Sequence, residues 1–172
     1  MGNFLSLPIL ILAAALQVSL MPQMSILGGR PDLVLLLVLS WSLNVSLEQG
    51  VVWAFVGGIV KDLLSAAPLG TTSFGMVILI FGIHAVRRQL YSVGLFTLIW
   101  VVVGGTIFQQ LVSMSILLMS GFQPELGFGV VVEELSYILL PTIFYNLVLI
   151  LPVYMFVRFT QRRLNQNARL YT

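Results

Sequence analysis

Lys61 and Asp62 stand side by side in an apolar run that starts near Val51 and stops at Pro68-Leu69-Gly70. An ionised side chain at the centre of a bilayer costs about 3 kcal/mol or more, so the pair needs partners or a purpose. Residues at i and i+1 point to different sides of a helix, so each needs a partner of its own. If the helix starts near Gln49 and climbs about 1.5 Å per residue, the pair lies roughly 18–20 Å up. That is the outer part of a hydrocarbon layer about 30 Å thick. Arg30, Asp32, Glu133 and Glu134 are the charged residues that topology brings to the same side. Such a set suits a structural ion-pair cluster, with Lys61 snorkelling to the headgroups. It also suits a docking site for another protein's membrane segment, or ion or proton transport. Transport would require a second acid on a shared path to the inner side, and the sequence offers none. The structural cluster is the ordinary outcome, and docking is the sharper one.

Other chemistry is sparse. His84 is the one histidine, and its position near a helix end suits a packed or capping role better than a metal site. There is no cysteine, which excludes disulfides and thiolate chemistry. No serine stands in a Gly-x-Ser-x-Gly setting and no phosphate-cradling loop is present. No cofactor and no catalytic centre are expected. Glu133-Glu134, with Tyr137, would line an outer groove or form a wetted interfacial turn.

The elements that must position these residues follow from composition. Of 172 residues, 59% are hydrophobic and 8% charged, with a mean hydropathy of +1.05. A soluble domain carries about 25% charge, so the solvent for this surface is a bilayer. Long unbroken apolar runs favour helices over the alternating strands of a barrel. The net charge of +2 and pI of about 9.3 do not point to nucleic acid, because the basic residues sit at membrane edges. We expect one all-α transmembrane domain over residues 1–172 with six spans. These run over residues 4–21, 33–47, 51–67, 71–86 and 93–119, with a sixth ending near Phe159.

The first run lacks a basic flank and a small-residue cleavage site, so it reads as a retained helix rather than a signal. Arg30-Pro31-Asp32 opens the second helix, with Pro suited to its first turn and Asp to its positive end. Glu48-Gln49-Gly50 reads as the tight turn into the third. There, Gly50, Ala54, Gly57, Gly58 and Lys61 share one side, where small residues let another helix come close. Residues 121–129 read as a loop, 130–137 as an interfacial turn or the beginning of the sixth helix, and 158–172 as a short basic tail. With both termini in the cytoplasm, Arg87, Arg88, Arg158, Arg162, Arg163 and Arg169 all fall inside. Glu48 is then the one acid on that side. The tail serves as a topology signal, and could also meet anionic lipid or a cytoplasmic partner.

Four motifs stand at definite spacing: Pro31-Asp32-Leu33, then Gly57-Gly58-x-x-x-Asp62-Leu63, then Pro68-Leu69-Gly70, then Arg87-Arg88. This pattern resembles the MreD family of bacterial rod shape-determining membrane proteins. The motif match covers about residues 31–88, and the second half agrees as hydrophobic spans. The resemblance implies a non-enzymatic inner-membrane subunit of the cell-elongation (rod) complex that helps organise peptidoglycan synthesis. The partners it implies are MreC, a single-span protein, the filament protein MreB, and the polymerase RodA with its transpeptidase. The implied fold is similar to the substrate-binding subunits of energy-coupling-factor vitamin transporters.

Residues and resemblance together give a candidate set for partner binding or fold setting: Pro31, Asp32, Gly58, Lys61, Asp62, Pro68, Leu69, Gly70, Glu133 and Glu134. Asp32 would orient and cap the second helix, and Gly58 would permit close packing. Asp62 would pair across helices, and Pro68-Leu69-Gly70 would shape the outer turn. The alternative is the substrate-binding subunit of a small-solute (vitamin) transporter. That reading needs a polar outer pocket and an Ala-x-x-x-Ala face, whereas the first helix offers Ala13-Ala14-Ala15 with Gln17.

Overall fold

The computed structural model describes residues 6–19, 25, 28–65, 68–87, 94–120 and 128–169. They form six helices and no strand: α1 (Ser6–Ser19), α2 (Leu33–Ser42), α3 (Leu47–Leu63), α4 (Thr71–Arg87), α5 (Leu95–Ser120) and α6 (Phe128–Arg169).

The helix α2, with sequence LVLLLVLSWS, is the hub. A helix that is apolar all round belongs in a core, and every residue of α2 after Leu33 is buried. Each of the other five helices packs against it. Around this axis α3 lies against α4, α4 against α5, and α5 against α6, while α1 fills the gap beside α2 and α3. Trp41 and Trp53 meet across the α2–α3 contact with ring centroids 5.7 Å apart. Among the described residues, two stretches are long and apolar enough to cross a membrane, Leu95–Ile116 and Tyr137–Arg162. Three shorter apolar helices stand beside them: Pro8–Ser19, Leu33–Ser42 and Thr71–Ala85.

Several boundaries differ from the sequence expectation. The second helix stops at Ser42, not near residue 47. Asn44 turns its side chain back to the Ser40 carbonyl at 2.9 Å and its amide to Trp41 O. Asn competes in this way with a continuing helix. The turn therefore falls at residues 43–46, and Glu48, Gln49 and Gly50 lie inside α3. Glu48 then sits in the first turn, where the helix dipole favours an acid. At its far end α3 stops at Leu63, before Ala67. Residues 130–137 take the second of their two readings, as the beginning of α6, which runs through Pro141 and Pro152 and ends at Arg169 rather than near Phe159. Prolines are tolerated inside membrane helices because neighbours re-satisfy the freed backbone groups. The basic tail is thus a helical extension through Arg169 rather than a separate segment. Residues 121–127 of the expected loop, and Arg88, lie outside the described residues.

Candidate functional site

Lys61 and Asp62 leave α3 in different directions and enter two polar clusters. The first is built on the start of α2. An α-helix begins with backbone N–H groups that have no partner within the helix. At α2 the Asp32 carboxylate takes one of them, accepting from Leu35 N at 3.1 Å. Gln17 of α1 takes another, its Oε1 accepting from Val34 N at 3.0 Å. The Gln17 amide also donates to Asp32 Oδ1 at 3.2 Å. Lys61 of α3 pairs with the other oxygen, Asp32 Oδ2. From α6, Asn146 Oδ1 accepts the Asp32 N–H at 2.9 Å. The Asn146 amide then donates to Thr106 Oγ1 of α5 at 2.9 Å. The Asp32 carboxylate thus joins α1, α2 and α3, its backbone N–H adds α6, and Asn146 extends the cluster to α5. The side chains of Lys61 and Asp32 keep 23% and 13% of their surface exposed, so the cluster reaches the edge of the bundle.

Pro31 is buried one residue before the Asp32 cap, so it fixes the approach of the chain rather than forming the first helical turn. The segment ahead of it lies directly on α6. A Cβ at Gly29 would come within 2.5 Å of Pro141 and 2.8 Å of Thr142 N. Arg30 is exposed, and its backbone N–H donates to Thr142 Oγ1 at 3.3 Å.

The second cluster is built on the start of α4. Asp62 is 1% exposed and accepts from Gly70 N at 2.9 Å, Thr72 N at 3.0 Å and Ser73 N at 3.4 Å. The Ser73 hydroxyl donates to it at 3.4 Å. Asp62 thus pairs across helices, from α3 to the start of α4, with amides and a hydroxyl where a charged partner was expected. Its described partners are the unpaired amides of a helix N-terminus and a hydroxyl, which favour a negative charge without a cation. Pro68-Leu69-Gly70 makes the turn that aims those amides. The Pro68 carbonyl accepts from both Thr71 N and Thr71 Oγ1, and Gly70 has a φ of +95°, a conformation that favours glycine. Leu69 stands 67% exposed on this turn. Gly58 lets the turn reach α3, since a Cβ there would fall 2.5 Å from Ser73 N.

The rest of the small-residue side of α3 is also internal. A Cβ on Gly57 would press on Val38 at 2.9 Å, and one on Gly50 would meet Ile80 and Ser42 at 3.1 and 3.2 Å. His84 reaches the Ser42 carbonyl at the end of α2, at 3.2 Å. Glu133 and Glu134 lie on α6, and their side chains fall outside the described residues. A cleft of about 10 Å³ is lined by Ile9, Leu10, Leu37, Val38, Trp41 and Trp53. That is room for about one water.

Sequence reasoning left Gln17, Thr106, Thr142 and Asn146 out of the candidate set. Their signal was polarity within an apolar span, which marks a residue that must find a partner inside the bundle. Each acid is held by donors from neighbouring elements, and both acids are used to order helix ends.

A family model described as rod shape-determining protein MreD matches residues 1–163. No curated protein and no solved structure matched the chain.

Proposed function

This chain belongs to the MreD family of rod shape-determining proteins, and from that premise we propose that it is a non-enzymatic, six-span subunit of the bacterial cell-elongation complex. It resides in the cytoplasmic membrane with both termini inside. Its partner is the membrane segment of an MreC-like single-span protein, and through it the chain helps organise wall synthesis with MreB, RodA and the RodA transpeptidase.

What supports a scaffold over a catalyst or carrier is the use made of the polar side chains. Asp32 ties three other helices, α1, α3 and α6, to the head of α2, and Asp62 fixes the α3–α4 turn. Pro31, Asp32, Gly58, Lys61, Asp62, Pro68 and Gly70 set the shape of the outer face, and exposed Leu69 is the member of that set offered to a partner. Glu133 and Glu134 complete the proposed outer face. The transporter alternative requires a polar pocket of about 300 Å³ or more; the cleft beside α2, among the described residues, is apolar and holds about 10 Å³.

Affinity purification of the full chain from native membranes, with identification of everything bound, tests the reading. Recovery of an MreC-like protein, reduced when Leu69 is replaced by Asp, supports it. A stoichiometric vitamin together with an energising ATPase would replace it with the transporter reading.

A further inference from the structure

The longest helix carries an exposed apolar stripe that ends in arginines. On α6, Leu140, Phe144, Val148, Leu151, Met155 and Phe159 are between 41% and 73% exposed. The stripe recurs every eleven residues, the repeat of a nearly straight α-helix, so one continuous side of α6 faces outward. From Tyr137, which is itself exposed, to Phe159 it runs about 33 Å at about 1.5 Å per residue. Hydrocarbon is about 30 Å thick, so the stripe fills it from edge to edge. Arg158 and Arg162 lie at its far end, one beside Phe159 and the other a turn beyond, and both are exposed. Neither has an ion pair with a described residue. Side chains on a helix lean toward its N-terminus, so Arg162 covers the turn holding Arg158 and Phe159. Two guanidinium groups are thereby set at the level of the headgroup phosphates, on the side of the helix that lipid touches. A planar guanidinium suits a phosphate, which it grips with two parallel hydrogen bonds.

We propose that the Arg158–Arg162 end of α6 is a binding site for the phosphate of an anionic phospholipid in the cytoplasmic leaflet. The inference rests on the reading that α6 spans the membrane with its C-terminus inside. The ligand is a lipid rather than an acidic protein because the arginines continue the lipid-length apolar stripe.

The test uses the full chain in nanodiscs of equal phosphatidylglycerol and phosphatidylcholine, extracted into mild detergent. Native mass spectrometry then gives the ratio of the two lipids retained. Phosphatidylglycerol should be enriched on the unaltered chain. The enrichment should fall about fivefold for each arginine removed in R158Q and R162Q, following the contribution of one basic residue near an anionic surface. R158K/R162K, which keeps the charges without the planar forks, should retain less than the unaltered chain and more than R158Q/R162Q. A ratio near one for the unaltered chain overturns the proposal, as does an unchanged ratio in R158Q/R162Q. A ratio of one with selective retention of an acidic protein assigns the arginines to that protein and equally overturns it. Circular dichroism checks that the variants keep their helicity. If R158Q/R162Q does not fold, an unchanged ratio in folded R158Q and in folded R162Q decides against the site. Resistance of the chain to alkaline extraction is read separately. Its failure sinks the spanning reading, whereas an inserted chain with a ratio of one sinks the lipid site alone.

Discussion

Asp32 caps the head of α2 and Asp62, from the end of α3, caps the head of α4, and the two are held by different means. Asp62 relies on amides and a hydroxyl. Replacing it with Ala removes the acceptor and leaves those donors bare in a buried place, so the expected loss is about 3 kcal/mol. Asp62→Asn keeps one oxygen and should cost less. Thermal unfolding in detergent measures both, and an Asn variant as damaged as the Ala variant would show that the charge outweighs the hydrogen bonds. Asp32 relies on Lys61 as well as on neutral donors. Lys61→Met and Asp32→Asn should each destabilise, and the double variant should lose less than their sum by about 1–3 kcal/mol. Strict additivity in that cycle would remove the ion pair from the account. Sequence inspection found both acids and the lysine, because isolated charge in an apolar run is conspicuous. It did not find the Asp62 partners, because a side-chain pattern contains no record of where backbone amides go unpaired. Asn146 and Gln17 carry no charge and were passed over for the same kind of reason.

At the level of helices, the tightest contact joins α3 to the start of α4 at Gly58 and Ser73. Gly58→Ala has backbone on the other side of the gap, so the two helices must separate. A cost of about 1–3 kcal/mol is expected. Gly104 on α5 is the matched control, because a Cβ there meets nothing within 4 Å. Gly104→Ala should be neutral or stabilising by up to about 1 kcal/mol from helix propensity alone. Equal effects at the two glycines would mean that the α3–α4 approach is looser than described. The number and order of helices were legible, since long apolar runs separated by breakers announce themselves. The end of α2 was not, because it is set by one Asn side chain folding back on Ser40. The passage of the sixth helix through Pro141 and Pro152 was legible, whereas its extension past Phe159 to Arg169 was not, because the apolar pattern stops there.

For the molecule as a whole, the distribution of arginines leads to a further expectation. The chain contains no cysteine, so single cysteines placed near each terminus report topology without background. Both should react with a membrane-impermeant maleimide only after the cytoplasmic side is opened, and labelling of either from outside would reverse the proposed orientation. The family was legible in the motifs between residues 31 and 88, where spacing and residue type coincide. The surface that meets a partner was not, because in lipid an outward-facing Leu reads the same whether a protein or an acyl chain covers it.

The Asp32 amide and its Asn146 acceptor are separated by 114 residues. Most of the polypeptide must therefore leave the ribosome before the head of the central helix can be closed. Until then that helix, about 15 Å long and so half the thickness of the bilayer, is held at its head by Gln17 and Lys61 and lacks its tie to α6. An interrupted translation product would carry a central helix whose first amide lacks its acceptor.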